Sequence, residues 1–120
     1  MKAVIIEDEA IAARQLQRLL KKEANDIEVI QTLQSVRAAV AWLSKNKQQV
    51  DLIFLDIQLS DGLSFEIFKH VDVKVPIIFT TAYDQYAIDA FKVNSLDYLL
   101  KPIHVDDLRK ALDKFDQQQI

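Results

Sequence analysis

Four short apolar runs in this chain each end on residues that can carry out chemistry, and this pattern constrains the fold most strongly. The runs and the residues after them are Ala3–Ile6 before Glu7 and Asp8, Leu52–Leu55 before Asp56, Ile77–Phe79 before Thr80 and Thr81, and Tyr98–Leu100 before Lys101. Apolar runs of this length between helical stretches are typical of parallel strands buried on both faces of a sheet. In an open α/β sheet the functional site lies beyond the carboxyl ends of the strands. We therefore expect carboxylates, a hydroxyl and an ammonium to meet at one edge of the sheet.

Segments with helical periodicity alternate with these strands and with a further strand predicted over residues 28–30. The apolar stripes of the five predicted helices are Ala12, Leu16, Leu19 and Leu20; Val36, Ala39, Val40 and Leu43 after the cap Ser35; Phe65, Ile67 and Phe68 after the cap Ser64; Ala87, Ala90 and Phe91 between Asp84 and Val93; and Val105, Leu108, Leu112 and Phe115 after Pro102. Five strand–helix repeats with right-handed crossovers place helices on both faces of the sheet. The pattern predicts an α/β fold.

Composition and charge limit the classes of function. A chain of 120 residues predicts one domain, covering 1–120. No apolar stretch approaches about 18 residues and no signal peptide precedes the first strand, so we expect no membrane span and a cytoplasmic location. The absence of cysteine excludes disulfides and thiolate metal sites. A net charge of −3 with interspersed signs predicts no direct DNA binding by this domain.

Three acidic residues, Glu7, Asp8 and Asp56, indicate a metal site. Taken alone, Glu7 and Asp8 also fit an acidic helix N-terminus, and Asp56 also fits a simple turn or cap. At one sheet edge, however, three like charges repel each other unless a cation lies among them. Carboxylates and a backbone carbonyl, without His or Cys, form a hard oxygen site that suits Mg²⁺.

The ends of the last two strands carry the remaining polar groups. Lys101 lies between an apolar run and Pro102, so we interpret it as an ammonium directed at the site rather than a solvated charge. The Lys101–Pro102 bond is also a candidate for a cis peptide. Thr80 and Thr81 compete for the role of the hydroxyl, because neighbouring strand residues point to opposite faces.

Five short motifs, taken in their order along the sequence, resemble the receiver domain of two-component response regulators over essentially the whole chain. The matching pieces are Glu7-Asp8, Asp56, Gly62, Thr81-Ala82 and the segment from Tyr98 to Pro102. The segments 56–62, 79–84 and 96–103 resemble the LytTR-type regulators in particular. The resemblance implies a flavodoxin-like, doubly wound sheet of five parallel strands in the order 2-1-3-4-5, with five helices.

The resemblance also implies how the acidic edge works. Asp56 would be the phosphoacceptor, taking a phosphoryl group from a sensor histidine kinase to form an acyl phosphate. Asp8 and Asp56 would bind Mg²⁺ directly, Gln58 through its backbone carbonyl and Glu7 through a water.

The switch residues follow from the same resemblance. Lys101 and the hydroxyl of Thr81 would contact the phosphoryl oxygens, and the pairing with Ala82 and the offset from Pro76 favour Thr81 over Thr80. Tyr98 would turn inward once Thr81 has moved.

We therefore expect a phosphorylation-dependent switch that assists its own phosphotransfer and autodephosphorylation without being an enzyme in the ordinary sense. The expected partners are a histidine kinase and a second copy of the chain, bound through the fourth predicted helix, the fifth main strand and the fifth predicted helix. In a LytTR-like regulator, a DNA-binding output domain would follow Ile120 and regulate transcription.

Three rival functions predict different residues. A haloacid-dehalogenase-like phosphatase would need an acid two residues after its nucleophile, where this chain has Gln58. A nucleotide-binding module would need a glycine-rich phosphate loop, and Gly62 is the single glycine of the chain. A receiver-like dimerisation scaffold would be expected to lose Asp56 or Lys101, and both are present.

Overall fold

The computed structural model describes residues 1–90 and 95–118, and its centre is a five-stranded parallel sheet. The strands are β1 (Lys2–Ile6), β2 (Glu28–Leu33), β3 (Leu52–Leu55), β4 (Gln58–Leu59), β5 (Gly62–Leu63), β6 (Ile77–Thr81) and β7 (Ser95–Leu100). The sheet has the order β2-β1-β3-β6-β7, and β4 and β5 form a separate antiparallel pair. Counting only the strands of the main sheet, this is the predicted order 2-1-3-4-5, which is confirmed.

The described residues form four α-helices and two 3₁₀ helices in addition to the strands. The α-helices are α1 (Ala10–Glu23), α2 (Val36–Asn46), α3 (Ala87–Ala90) and α4 (Val105–Gln118), and the 3₁₀ helices are Lys47–Gln49 and Ser64–Lys69. The prediction of five α-helices is therefore wrong by one.

The third predicted helix is the 3₁₀ helix that begins at Ser64. The backbone N–H of Ser64 donates to the carbonyl of Ile57 at 2.7 Å, which ties the start of this segment to the β4–β5 hairpin. The helical stretch is six residues long, which is longer than most 3₁₀ segments, since these seldom exceed about four residues. Its predicted cap is wrong, because the Ser64 side chain is fully buried and makes no cap hydrogen bond. The predicted cap of α2 is confirmed, since the Ser35 hydroxyl accepts from the N–H of Ala38 at 3.0 Å.

Alternating residues of the buried strands feed two hydrophobic cores, one on each face of the sheet. On one face, Ile53 and Leu55 of β3 belong to the same cluster as Leu43 of α2. On the other face, Phe54 shares a cluster with residues of α1 and α4, including Phe115. Helices thus cover both faces, as a doubly wound sheet requires.

Some predicted helix positions differ from the structure. Val105 was placed on the inward face of the last helix, but it is 38% exposed at the first residue of α4. The predicted inward position of Phe91, and the extension of that helix to Val93, lie outside the described residues. None of the helices in the described ranges is long and apolar enough to cross a membrane.

Candidate functional site

The acidic residues after β1 and β3 meet at the carboxyl edge of the sheet. The two strands pair in parallel along their length, so their ends lie side by side. One carboxylate oxygen from each of Glu7, Asp8 and Asp56 lies within 4.8 Å of the other two. Glu7 and Asp56 are 4% and 5% exposed, while Asp8 is half-buried. The sequence prediction that these three side chains converge is therefore correct in geometry.

Lys101 brings a positive charge into the same group. Its Nζ donates to Oε1 of Glu7 and, at 3.2 Å, to Oδ2 of Asp56. The backbone N–H of Lys101 donates to the carbonyl of Thr81 at 2.7 Å, which fixes the residue beside β6. The Lys101–Pro102 peptide is cis, as its sequence suggested. Lys101 is thus an ammonium directed into the site.

Burial and neighbouring charge perturb both members of the Glu7–Lys101 pair. The pKa of Glu7 is raised from 4.5 to about 7, mainly by burial and with a contribution from the charge of Asp56, while the hydrogen bond from Lys101 acts in the opposite direction. Burial alone would lower the pKa of Lys101, but its hydrogen bond to Glu7 and the charges of Asp56 and Glu7 outweigh that effect and raise it. Removing ions from water is costly unless an opposite charge compensates. A positively charged group at this edge of the sheet is therefore stabilised by the neighbouring carboxylates.

The donor set fits a hard divalent cation such as Mg²⁺. Oδ1 of Asp56 is buried and has no hydrogen-bond partner among the described residues, although Oδ2 is held by Lys101. A buried carboxylate oxygen without a donor is costly, and a metal ion beside Asp8 would satisfy it. Three carboxylates and one ammonium also leave net negative charge for a cation to neutralise.

The two threonines end β6, one strand away from Asp56. Thr81 is fully buried, and its Oγ1 accepts from the N–H of Tyr83 at 3.3 Å. Thr80 is 2% exposed and lies on the opposite face of the strand. The geometry places a hydroxyl at the strand end, and the choice of Thr81 over Thr80 for phosphoryl contact stays a prediction.

Tyr98 lies on β7 opposite Phe79 of β6, and the two ring centroids are 6.0 Å apart. Its hydroxyl donates to the carbonyl of Tyr83, in the loop after Thr81. Tyr98 is therefore connected by hydrogen bonds to the same loop as Thr81. Its turn inward on phosphorylation stays a prediction.

Sequence reasoning missed two contacts of the β4–β5 hairpin, which begins at Gln58, two residues after Asp56. The amide Nε2 of Gln58 donates to the hydroxyl of Tyr86 at 3.3 Å, which bridges the loops after β3 and β6. Asp61, in the turn of the β4–β5 hairpin, accepts hydrogen bonds from the first residues of α2. The Asp61-Gly62 dipeptide is a turn signal and predicts the hairpin turn, but no local pattern identifies partners this distant in sequence.

Comparison with known proteins agrees with this geometry. The family model described as the response regulator receiver domain matches residues 3–113. The sensory transduction protein LytT of Bacillus anthracis is 40% identical over 99% of this chain, which covers 48% of that protein. The transcriptional regulatory protein LytR of Staphylococcus aureus is 40% identical over 95% of this chain and 46% of its own length. The chain spans about half the length of the curated relatives it matches.

A solved structure agrees with the fold. The response regulatory domain of protein mrkE from Klebsiella pneumoniae superposes with a TM-score of 0.84 at 30% sequence identity. The match covers 98% of this chain and 97% of that one. The similarity therefore extends over nearly the full length of both chains.

Proposed function

This chain belongs to the response regulator receiver domain family, and we propose that it is a switch in which Asp56 accepts a phosphoryl group from a sensor histidine kinase. The observation that best supports this role is the contact of the Lys101 ammonium with the buried carboxylate of Asp56. A receiver-like scaffold without phosphoryl chemistry would be expected to lose Asp56 or Lys101, and both are present. The function is that of a phosphoacceptor.

Asp56, Lys101 and Thr81 have different roles in phosphoryl transfer. A carboxylate oxygen of Asp56 forms the new bond to phosphorus, while the phosphorus–nitrogen bond of the donor breaks and the imidazole keeps its electron pair. Lys101 and the Thr81 hydroxyl hold the phosphoryl oxygens in place. Such positioning and charge neutralisation supply most of the catalysis in phosphoryl transfer.

Asp8, Asp56 and the backbone carbonyl of Gln58 would hold Mg²⁺, with Glu7 acting through a water. When bound, Mg²⁺ supplies charge neutralisation for the phosphoryl oxygens. The family and the buried, unpartnered Oδ1 of Asp56 support this assignment.

The signal leaves the site through Thr81 and Tyr98. Phosphorylation offers Thr81 a charge-assisted hydrogen bond, and its movement makes room near β7 for Tyr98 to turn inward. The contact of Tyr98 with the Tyr83 carbonyl supports this route, because it links the two residues through one short loop.

The relatives support a proposal for the output of the whole protein. LytR of Staphylococcus aureus is named a transcriptional regulatory protein, and this chain spans about half of it. We assign this chain to the input half of a cytoplasmic LytTR-type transcription regulator whose DNA contacts come from a separate output domain.

Intact-mass spectrometry tests the phosphoacceptor. Incubation of the protein with acetyl phosphate and MgCl₂ should add the mass of one phosphoryl group, and EDTA should prevent the addition. Asp56→Asn should abolish the labelling, and Asp8→Ala should reduce it sharply, because each removes an oxygen from the site. Asp26→Asn, an exposed acid before β2, is the control and should label like the wild type. Wild-type protein that never gains this mass would refute the assignment.

A further inference from the structure

The β4–β5 hairpin that follows Asp56 is too small to hold its own shape. Each strand has two residues, paired as Gln58 with Leu63 and Leu59 with Gly62. An isolated hairpin is marginal in water even at several times this length. Its conformation must therefore depend on contacts with the rest of the protein.

Gly62 adds a backbone constraint to this hairpin. Its φ is +146°, in a region that side-chain-bearing residues rarely adopt, although a Cβ there would meet no atom within 4 Å. The single glycine of the chain is therefore required by its backbone angle and not by space. It shapes the turn but does not attach the turn to anything.

Asp61 makes that attachment. Its Oδ1 accepts from the N–H of Val36 at 2.7 Å and its Oδ2 from the N–H of Arg37 at 3.0 Å. Ser60 adds a weaker contact, with its hydroxyl 3.4 Å from the carbonyl of Gln34. The turn is thus fastened to residues 34–37, about 25 positions earlier in the chain.

The strength of the Asp61 contact follows from its chemistry. A carboxylate at a helix N-terminus meets two unsatisfied N–H groups and the positive end of the helix dipole. The same hydrogen bonds, from Arg37 and then Val36, lower the pKa of Asp61, so it remains ionised at neutral pH. Ser35 already caps this helix through Ala38, so α2 does not depend on Asp61 alone for its cap.

We infer that Asp61 is a positioning residue for the metal site: by clamping the hairpin turn to the N-terminus of α2, it sets the orientation of the Gln58 carbonyl. The inference rests on the proposed function, which makes that carbonyl a ligand. The hairpin provides the connection, because β4 runs from Gln58 directly into the clamped turn.

The test compares two variants that weaken the same helix terminus. Asp61→Ala removes the clamp, and Ser35→Ala removes the internal cap without touching the hairpin. Mg²⁺ affinity is measured from backbone amide shifts in ¹H–¹⁵N spectra during titration with MgCl₂, and folding is monitored by urea unfolding. Both variants should unfold at lower urea concentration. Only Asp61→Ala should weaken Mg²⁺ binding, by about tenfold, which is the lower end for residues that orient metal ligands.

Asp61→Asn provides a second measurement that preserves the shape of the side chain. It keeps one acceptor oxygen and loses the charge, so its affinity should lie between those of the wild type and Asp61→Ala. Equal Mg²⁺ affinity in the wild type and both Asp61 variants would overturn the inference while leaving the metal site intact. An equal loss in Ser35→Ala would also overturn it, since the effect would then belong to α2 as a whole. If the amide shifts of the wild-type protein did not respond to MgCl₂, both the proposed metal site and the positioning role of Asp61 would be refuted.

Discussion

At the scale of single residues, Glu7 is an acidic side chain whose burial strongly disfavours its charged form. It is almost completely buried, and its pKa is raised from 4.5 to about 7. The folded protein therefore holds this proton more tightly than the unfolded chain does. The stabilisation is present below the unfolded pKa and is lost as pH rises through the folded one.

This shift predicts how stability depends on pH in metal-free protein. Between about pH 5 and pH 8, the free energy of unfolding of the wild type should fall by up to about 3 kcal/mol. Glu7→Gln cannot ionise, so its stability should change much less over the same range. Urea unfolding in EDTA measures both. Glu9→Gln, which removes an exposed charge two residues away, is the control and should keep the wild-type slope. Parallel curves for Glu7→Gln and the wild type would contradict the prediction.

The residues of the site illustrate what the sequence can and cannot predict. Strand ends are recognisable from apolar runs, so Glu7, Asp8, Asp56 and Lys101 could be assigned to one edge of the sheet. Which carboxylate oxygen pairs with the ammonium depends on packing between strands that are distant in the sequence. The direct contact of Lys101 with Glu7, like the bond from Gln58 to Tyr86, could therefore not be predicted.

At the scale of elements, the loops after β3 and β6 face each other across the site. The hydrogen bond between Gln58 and Tyr86 joins them, and the rings of Tyr83 and Tyr86 pack edge to face with centroids 6.4 Å apart. We expect the water that hydrolyses an acyl phosphate on Asp56 to approach through this region. The side chains of the two loops should therefore control the lifetime of the phosphorylated state.

We predict that Gln58→Ala and Tyr83→Ala each change the rate at which phosphorylated Asp56 loses its phosphoryl group. Both substitutions leave in place the carboxylates and the Gln58 carbonyl that we propose as metal ligands, so Mg²⁺ affinity should be nearly unchanged. The decay is followed by intact-mass spectrometry after removal of the donor. Gln85→Ala, an exposed residue of the same loop as Tyr83, serves as the control. Identical decay in wild type and both variants would assign control of the lifetime to other residues.

Element prediction succeeded where one periodicity dominated the segment. β1, β3 and β6 are apolar runs, and α2 begins with a hydroxyl cap before a clear stripe, so these elements were predicted close to their observed positions. β2 and β7 contain polar residues, and each is three residues longer than the predicted 28–30 and 98–100. The segment from Ser64 has apolar residues at Phe65, Ile67 and Phe68, a spacing that fits more than one helix type over six residues. The β4–β5 hairpin has only two residues in each strand, which is too few for an alternating pattern to be detected.

At the scale of the whole molecule, β7 is an edge strand of the sheet and borders a mixed apolar and charged surface. Leu100 is 48% exposed, and Asp97 pairs with Lys114 of α4 at 3.2 Å. Together with α3, these elements are the counterpart of the surface predicted for dimerisation. Paired opposite charges on one face can exchange partners with a symmetric copy.

We predict that phosphorylation promotes a symmetric dimer through α3, β7 and α4. Sedimentation should detect a larger mass with the phosphoryl mimic beryllofluoride than without it, and Leu100→Lys should weaken the association by placing like charges together. Ile11→Lys, on α1 away from this surface, is the control; Ile11 is 65% exposed. Amide hydrogen exchange over residues 84–110 should slow in parallel. An unchanged mass together with unchanged exchange would contradict both the dimer and the route to it.

The contact between Lys101 and Glu7 joins residues 94 positions apart. This separation determines when, during synthesis, the proposed phosphorylation site is complete. Chains are synthesised from the N-terminus, so a nascent polypeptide contains Glu7, Asp8 and Asp56 well before Lys101 has been added. Asp56 is thus synthesised early, but the site around it is complete only when Lys101 has been added. A truncated or stalled product would carry Asp56, the proposed phosphoacceptor, without Lys101, which we propose to hold the incoming group. We therefore expect such a product not to divert phosphoryl groups from completed chains.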